Sequence, residues 1–428
     1  MMEKFKSFAL TALVVASLVQ SYFLAYSSPK FDMVTPTDYV ETQLSGTQAE
    51  LEEVLFPEEI VLHFGAKKHT LLPVNHQFYH MIFDDFIRKR SFEGLRKTGL
   101  IGSTVNWEDV RNNQPGFEVR FKEGIPLHAL QSIVPIKEDV PLDNDLITRI
   151  WMYMNPGKEE VKTFFFTDNP QIMYEAVKAD VTAKDVEKYV GLGAYLPTYH
   201  SDNGDYYLPD DPITAIAVKM AYTQFTSEQL KRSLFVDPEM TRFLLERDGT
   251  QIYTDGKKGL QIRGDQHWLS YTDPIFTSVE SRSDSRENLM SAIQYINQHG
   301  GWNGTFLYSR LTPKTAVGTQ TFLFRQYVDS MPIINAYPSQ FGYIKVSLQK
   351  GVVSSYERSL INLDGKGAAK TDVTLPGGKA LDDMLLAYGK RFNVVAVFPA
   401  YQASVADQTV ELMPRWAVEL RDGTYDFL

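Results

Sequence analysis

The chain has 428 residues, a net charge of −10 and no cysteine. The missing thiols exclude disulfides, thiolate metal sites and cysteine nucleophiles, and the acidic balance argues against nucleic acid and against long-range attraction to anionic lipid headgroups. Hydrophobic residues make up 43% and aromatic ones 13%, which argues against wholesale disorder and, at about 150 residues per domain, allows about three domains.

Lys4 and Lys6 precede a nearly unbroken apolar run, residues 7–28, which Pro29 closes. A helix of those 22 residues covers about 33 Å, enough for a bilayer's hydrocarbon core. Lys-rich flanks stay cytoplasmic. Residues 1–6 are therefore expected as a cytoplasmic tail, 7–28 as a single transmembrane helix and the bulk as extracytoplasmic. The alternative is a cleaved signal peptide. Ala25 and Ser27 have the spacing of a cleavage site, although the run exceeds the usual h-region of roughly 7–15 residues. Inside the run, Gln20 is polar, and Ala9, Ala12, Ala16, Ser17 and Ser21 place small side chains three and four residues apart. Small surfaces let a second helix approach closely, so these six residues are candidate contacts with a partner's span. The plainer reading is that Gln20 reaches interfacial water and that small residues are common in any span.

A linker runs from Pro29 to Glu58 and includes a short helix, Gln48–Leu55. Glu59–Phe64, bounded by Pro57 and Gly65, reads as a strand. Phe78, Met81, Ile82 and Phe86 recur at helical spacing and predict an amphipathic helix over His76–Arg90, with Arg88, Lys89 and Arg90 in its last turn. Phe117–Phe121, Ile147–Met154 and Val161–Phe166 alternate like antiparallel strands with one wet face. Thr182 caps a helix to Tyr189. Gly191–Pro212, rich in Gly, Pro, Asn, Asp and Tyr, marks a domain boundary.

Beyond it, Ile213–Phe225 predicts a helix. A meander follows: Arg242–Arg247, Gln251–Tyr253, Gly259–Arg263 and Trp268–Tyr271, turned at Asp248-Gly249 and Asp255-Gly256. A second helix starts at Asp284 with Glu287 at the capping-box position, turns Leu289, Ala292, Ile293 and Ile296 inward, and ends at Gly300-Gly301. Strands follow at Gly304–Leu311, Gln320–Val328, Ile333–Ile334, Tyr343–Leu348 and Val352–Leu360. A third helix, Lys379–Tyr388, precedes strands Asn393–Ala400, Gln408–Pro414 and Trp416–Leu420. Helix-then-meander repeats predict an α+β protein whose antiparallel sheets carry helices on one face. The expected domains are 31–205 (N-terminal), 206–283 (middle) and 284–428 (C-terminal).

Catalytic patterns are weak. Lys97-Thr98-Gly99, Ser201-Asp202-Asn203 and Ser347-Leu348-Gln349-Lys350 match the signatures of serine penicillin-binding proteins and β-lactamases. That chemistry needs Ser and Lys one helical turn apart. Ser347 lies late in an alternating strand, where residues three apart point to opposite faces, and the motifs run in reversed order. His76 and His80 have the spacing of a zinc helix, but Gln77 stands where the general-base Glu belongs. His63 and His69 flank a Gly-Ala-Lys-Lys turn and read as structural. Asp84 and Asp85, adjacent on a helix, cannot face each other. Asp202, Asn203 and Asp205 surround Gly204 as an Asn/Asp/Gly turn would, without the spacing of an EF-hand.

Several segments carry a resemblance: the Lys-flanked anchor, Gly193-Ala-Tyr-Leu-Pro197, Tyr206-Tyr-Leu-Pro209, and Phe324-Arg-Gln-Tyr-Val-Asp-Ser-Met-Pro-Ile333 running on into Gly342-Tyr-Ile-Lys-Val-Ser-Leu348 and Val353-Ser-Ser-Tyr-Glu-Arg358. Nearly end to end, the chain resembles the YycH family, exported regulators associated with the WalK (YycG) sensor histidine kinase of Gram-positive bacteria. Its C-terminal part is similar to the partner family YycI and, more remotely, to PepSY-type domains. It departs from many relatives in lacking tryptophan in the segment before Pro29. The resemblance implies three extracytoplasmic domains, no enzymatic activity, and a complex with the kinase and a YycI-like protein; no cofactor and no metal are expected. It implies that spanning helices brought together set kinase output. The alternative is an anchored cell-wall enzyme or wall-ligand binder; a PepSY-like inhibitor or chaperone rests on analogy of fold alone.

Overall fold

A computed structural model describes residues 6, 10, 13–17, 19–20, 46–99, 105–137, 145–155, 157, 159–265, 267–274, 285–312, 319–334, 341–406 and 408–428. Ala16, Ser17 and Gln20 are helical and exposed. Ala9, Ala12, Ser21 and much of the expected span lie outside the described residues. Among the described residues no helix is long and apolar enough to cross a membrane. The chain divides into two compact units, Met1–Val40 and Glu41–Leu428, and the sheets below belong to the second.

The first sheet contains β1 (Glu59–Gly65), β2 (Lys68–Pro73), β3 (Phe92–Gly99), β4 (Gly116–Pro126), β5 (Leu146–Met154), β6 (Val161–Thr167), β7 (Ile172–Ala179), β8 (Tyr199–His200) and β9 (Leu208–Pro209). Their spatial order is β3-β7-β6-β5-β4-β1-β2-β8-β9. The central strands do not keep one wet face. Ile150, Trp151, Met152 and Tyr153 are all buried, because the helix Trp107–Asn113 packs on the second face against Trp151, Phe164 and Phe166.

The second sheet contains β10 (Ile213–Gln224), β11 (Arg242–Leu245), β12 (Gln251–Thr254), β13 (Gly259–Ile262), β14 (Trp268–Thr272), β15 (Thr305–Thr312), β16 (Thr319–Val328), β17 (Met331–Ile334), β18 (Tyr343–Gln349), β19 (Val352–Ser359), β20 (Ile361–Leu363), β21 (Ala369–Leu375), β22 (Val394–Ala406), β23 (Thr409–Leu420) and β24 (Tyr425–Phe427). Its path runs β11-β12-β13-β14-β19-β18-β16-β17-β22-β23-β10-β20. Pairs are antiparallel except β17 with β22. β14, before position 283, pairs with β19, after it. The helix Ser285–Gln298 turns Leu289, Ala292, Ile293 and Ile296 into the core, as their spacing predicts.

Two helices differ from the sequence reading. Ile213–Gln224 is a strand, β10, between β21 and β23. Its alanines fit either state, but Ile213, Thr214, Ile216, Val218 and Thr223 are β-branched and lose χ1 freedom in a helix. In His76–Arg90 the α-helix covers only Gln77–Phe83, with a 3-10 turn at Ile87–Lys89. His76 stands outside as the N-cap, its Nδ1 accepting from Phe78 N at 3.2 Å, while His80 Nδ1 pairs with Asp84 at 2.7 Å, so the two imidazoles are turned to different partners. Thr182, by contrast, caps Ala183–Leu192 in a capping box with Asp185.

Residues 46–55 pack onto this body. Thr47 exchanges two backbone hydrogen bonds with Trp302, at 3.0 and 2.8 Å. Asn297 accepts from Ala49 N and donates to Ala49 O, each at 3.0 Å, and its Oδ1 also accepts from Trp302 Nε1 at 2.7 Å. Leu51, Val54 and Leu55 are buried in one continuous core with Ile60 and Phe117 of the first sheet and Phe306 and Phe324 of the second.

Candidate functional site

Alternation along β4 puts Glu118 and Arg120 on one face. Arg149 of β5 lies directly opposite Arg120, and His63 of β1 opposite His69 of β2. Neighbouring strands thus deliver five polar side chains to one patch, with Tyr207 of the 191–212 segment, the linker between the two sheets, against it. Glu118 is fully buried. It accepts from Arg149 Nη1 at 3.1 Å and from Arg120 Nη2 at 3.2 Å, and His63 Nε2 lies 3.6 Å from it. Burial alone would raise the Glu118 pKa. The guanidinium of Arg120, the His63 contact and Arg149 outweigh burial and hold the carboxylate well below its usual range.

His63 Nδ1 and His69 Nδ1 are 2.9 Å apart, so one donates and the other must be unprotonated there. Burial, with His63 and Arg111 adding to it, lowers the His69 pKa to about 3. Burial also lowers that of His63, against the pull of Glu118. Trp151 stacks on His63 at 5.2 Å, and the Tyr207 ring meets His69 edge-on at 5.2 Å.

The same cations fasten the linker. Arg120 donates to Asp205 O at 2.8 Å and to Gly204 O, and lies 4.8 Å over the Tyr207 ring. Arg111 donates to Asp202 O at 3.1 Å. Gly204 takes φ +84, and a Cβ there would meet the Arg111 guanidinium.

Beside this patch a cleft of about 500 Å³ opens between the first sheet and strands of the second. Glu58, Glu59, Arg120, Lys122 and Arg149 line one wall; Arg325, Tyr327, Phe398, Glu419 and Tyr425 line the other. Lys122 spans it. Its Nζ is 2.8 Å from Glu419 Oε2 and 3.4 Å from the centre of the Phe398 ring. A bulge makes that reach possible: four residues of β4, between Arg120 and Ile125, stand against one of β5, between Arg149 and Ile147. Gly124 in the bulge takes φ +78, and a Cβ would press on Leu146. Burial raises the Glu59 pKa, with Arg120 opposing and Glu118 reinforcing.

The residues singled out in sequence do not converge. Lys97-Thr98-Gly99 ends β3, Ser201-Asp202-Asn203 lies in the linker and Ser347 in β18. Ser347 Oγ bonds Thr321 Oγ1 at 2.9 Å inside the second sheet, and Lys350 occupies the following turn at φ 52. His80 pairs with Asp84 at 2.7 Å, and Asp85 with Lys89 at 3.1 Å. Asp205 N donates to Asn203 Oδ1 at 2.9 Å, an Asx turn. Among the described residues no group of three or more His, Asp or Glu is placed to hold a metal ion. The Glu118–Arg120–Arg149 patch was missed because Phe117-Glu-Val-Arg-Phe121 reads as a strand with a wet face. Its paired opposite charges at a two-residue spacing were the available signal.

Residues 203–426 match the family model of the YycH protein C-terminal domain, and residues 3–190 that of the YycH protein N-terminal domain. The chain is similar to the two-component system WalR/WalK regulatory protein YycH of Bacillus subtilis (strain 168), 20% identical over 442 aligned residues that span 98% of this chain and 94% of that protein. It is also similar in fold to the crystal structure of YycH from Bacillus subtilis, with TM-score 0.70 and 19% identity over 89% of this chain and 98% of the solved one.

Proposed function

The chain belongs to the YycH family, and on that premise we propose that it is a membrane-anchored, non-enzymatic regulator of a WalK-type sensor histidine kinase. One observation carries the reading: its near-complete alignment with a protein of similar length that is named for regulating WalR/WalK. Residues 7–28 span the membrane once, with the N-terminus cytoplasmic and the remainder outside. Ala9, Ala12, Ala16, Ser17, Gln20 and Ser21 form the face that meets the kinase's spanning helix or that of a YycI-like partner. Such a contact moves the kinase only if it binds its two signalling states unequally. Support comes from Gly46–Leu55, which is clamped to Asn297 and Trp302. Leu51, Val54 and Leu55 of that segment are part of the outer body's core. β14–β19 pairing further ties the expected domains 206–283 and 284–428 into one load path.

Exchanging residues 7–28 for an unrelated spanning helix tests this. Kinase output should become insensitive to the protein, while thermal unfolding of the outer part is unchanged and co-purification with the kinase and the YycI-like protein from detergent is lost. Retained regulation would overturn the reading. The cleft favours one further reading, a wall-ligand site in the outer domains. Saturable binding of soluble wall fragments, weakened by Arg325→Ala, would support it.

A further inference from the structure

β11 is the terminal strand of the second sheet, and its neighbour among the described residues is β12. All four of its residues are exposed. Phe243, Leu244 and Leu245 are 53%, 57% and 64% exposed, and Met240 just before them 73%. The outer edge of the first sheet is different. There β3 carries exposed Arg96 and Lys97, Lys137 pairs with Glu93 at 2.9 Å, and Phe92 bonds the chain at Pro135 and Lys137. Charge and cover are how natural sheets blunt an edge. Among the described residues β11 has neither along its apolar stretch, so the backbone groups of its outer side are a template for another strand.

The flanks say which strand. Placed antiparallel to itself about Leu244, the segment Arg242-Phe-Leu-Leu-Glu246 is self-complementary. Arg242 faces Glu246 of the second copy, twice by symmetry. Phe243 faces Leu245, and Leu244 faces itself. Neither Arg242 nor Glu246 has an ion-pair partner among the described residues. The backbone phase agrees. Glu246 N donates to Thr250 O at 2.9 Å, so alternation turns the N–H and C=O of Leu244 and Arg242 toward β12 and those of Phe243 and Leu245 outward. Outward groups at 243 and 245 are those that a pairing about Leu244 requires. Arg242 opposite Glu246 is then a non-hydrogen-bonded pair, the kind with the closer side chains.

We propose that β11 is a dimerisation edge that joins two copies of this chain as an antiparallel strand pair centred on Leu244. The contact is isologous, so it closes on two copies.

The cysteine-free chain makes the test direct. Leu244→Cys in the full-length chain, in detergent, places two thiols at a Cα separation of about 4.5 Å, within the roughly 4.4–6.8 Å that a disulfide needs. Mild oxidation should give a species of about twice the 48.7 kDa of one chain. Val177→Cys on β7, 68% exposed, should not. Arg242→Glu and Glu246→Arg should each abolish the cross-link by opposing like charges, and the double swap should restore it. All these positions are exposed, so circular dichroism should be unchanged. Cross-linking at Leu244 no better than at Val177, a dimer indifferent to the swaps, or capture of a different protein's thiol at Leu244 in cells would each overturn the proposal.

Discussion

At the scale of single residues, the His63–His69 contact makes the fold acid-labile in a defined window. Two buried imidazoles whose Nδ1 atoms are 2.9 Å apart hold one proton between them, and a second has no acceptor. In the native state burial keeps His69 neutral down to about 3 and lowers His63 as well. Burial likewise lowers His299 to about 4. In the unfolded chain all three titrate near 6.5. The unfolded state therefore binds more protons below that value. The stabilisation is complete above about pH 6.5 and is lost toward pH 4, by about 1.4 kcal/mol per pH unit for each histidine that stays neutral. Glu118, whose pKa is depressed mainly by Arg120 against burial, adds a loss in the same direction below its ordinary range near 4.5. Urea midpoints measured from pH 7.5 to 4 should fall steadily. His69→Gln should be less stable at pH 7.5 yet show a shallower slope; an unchanged slope would remove the pair as the cause.

At the scale of elements, Gly46–Leu55 is the segment most dependent on a few bonds. Asn297 makes three of them, to Ala49 N, Ala49 O and Trp302 Nε1. Asn297→Ala should cost about 2–3 kcal/mol, the sum of modest net hydrogen bonds and one orphaned indole donor. Hydrogen exchange should speed up at Thr47 and Ala49 and leave β1 and β4 unaffected; uniform loss of protection would mean that the clamp is not a separable element. The helix carrying Asn297 was legible, because Leu289, Ala292, Ile293 and Ile296 keep one 3.6-residue period. β10 was not. Its Ala215, Ala217 and Ala221 serve either state, and what decides is pairing with β21 and β23, about 150 to 190 positions away, which no local period records. The patch around Glu118 was half legible for the same reason. The alternation of β4 was visible, but burial of the polar face depends on Arg149, His63 and the Gly204–Tyr207 linker arriving from elsewhere.

At the scale of the whole molecule, the two sheets meet across the cleft, and Lys122–Glu419 is the ion pair that spans it at 2.8 Å. The Glu419 side chain is only 8% exposed and faces apolar Phe398 and Tyr425 through the same ammonium. Removing the cation strands a largely buried carboxylate, which costs about 3 kcal/mol or more, whereas removing both charges returns most of that. Lys122→Met and Glu419→Leu should therefore each destabilise strongly in urea, and the double variant should be clearly more stable than the sum predicts. A surface pair would give an interaction energy below about 1 kcal/mol, so the size of the coupling discriminates. The singles should also expose the linker. Arg120, one residue from the β4 bulge that carries Lys122, holds Gly204 O and Asp205 O, and a bulge freed from the far wall loses the support that aims Arg120. Protease cleavage within 198–207 should accelerate in Lys122→Met and return toward the parent rate in the double variant. Acceleration in neither single would mean that the continuous core around Leu51, Val54 and Leu55, and not the ion pair, fixes how the two sheets sit.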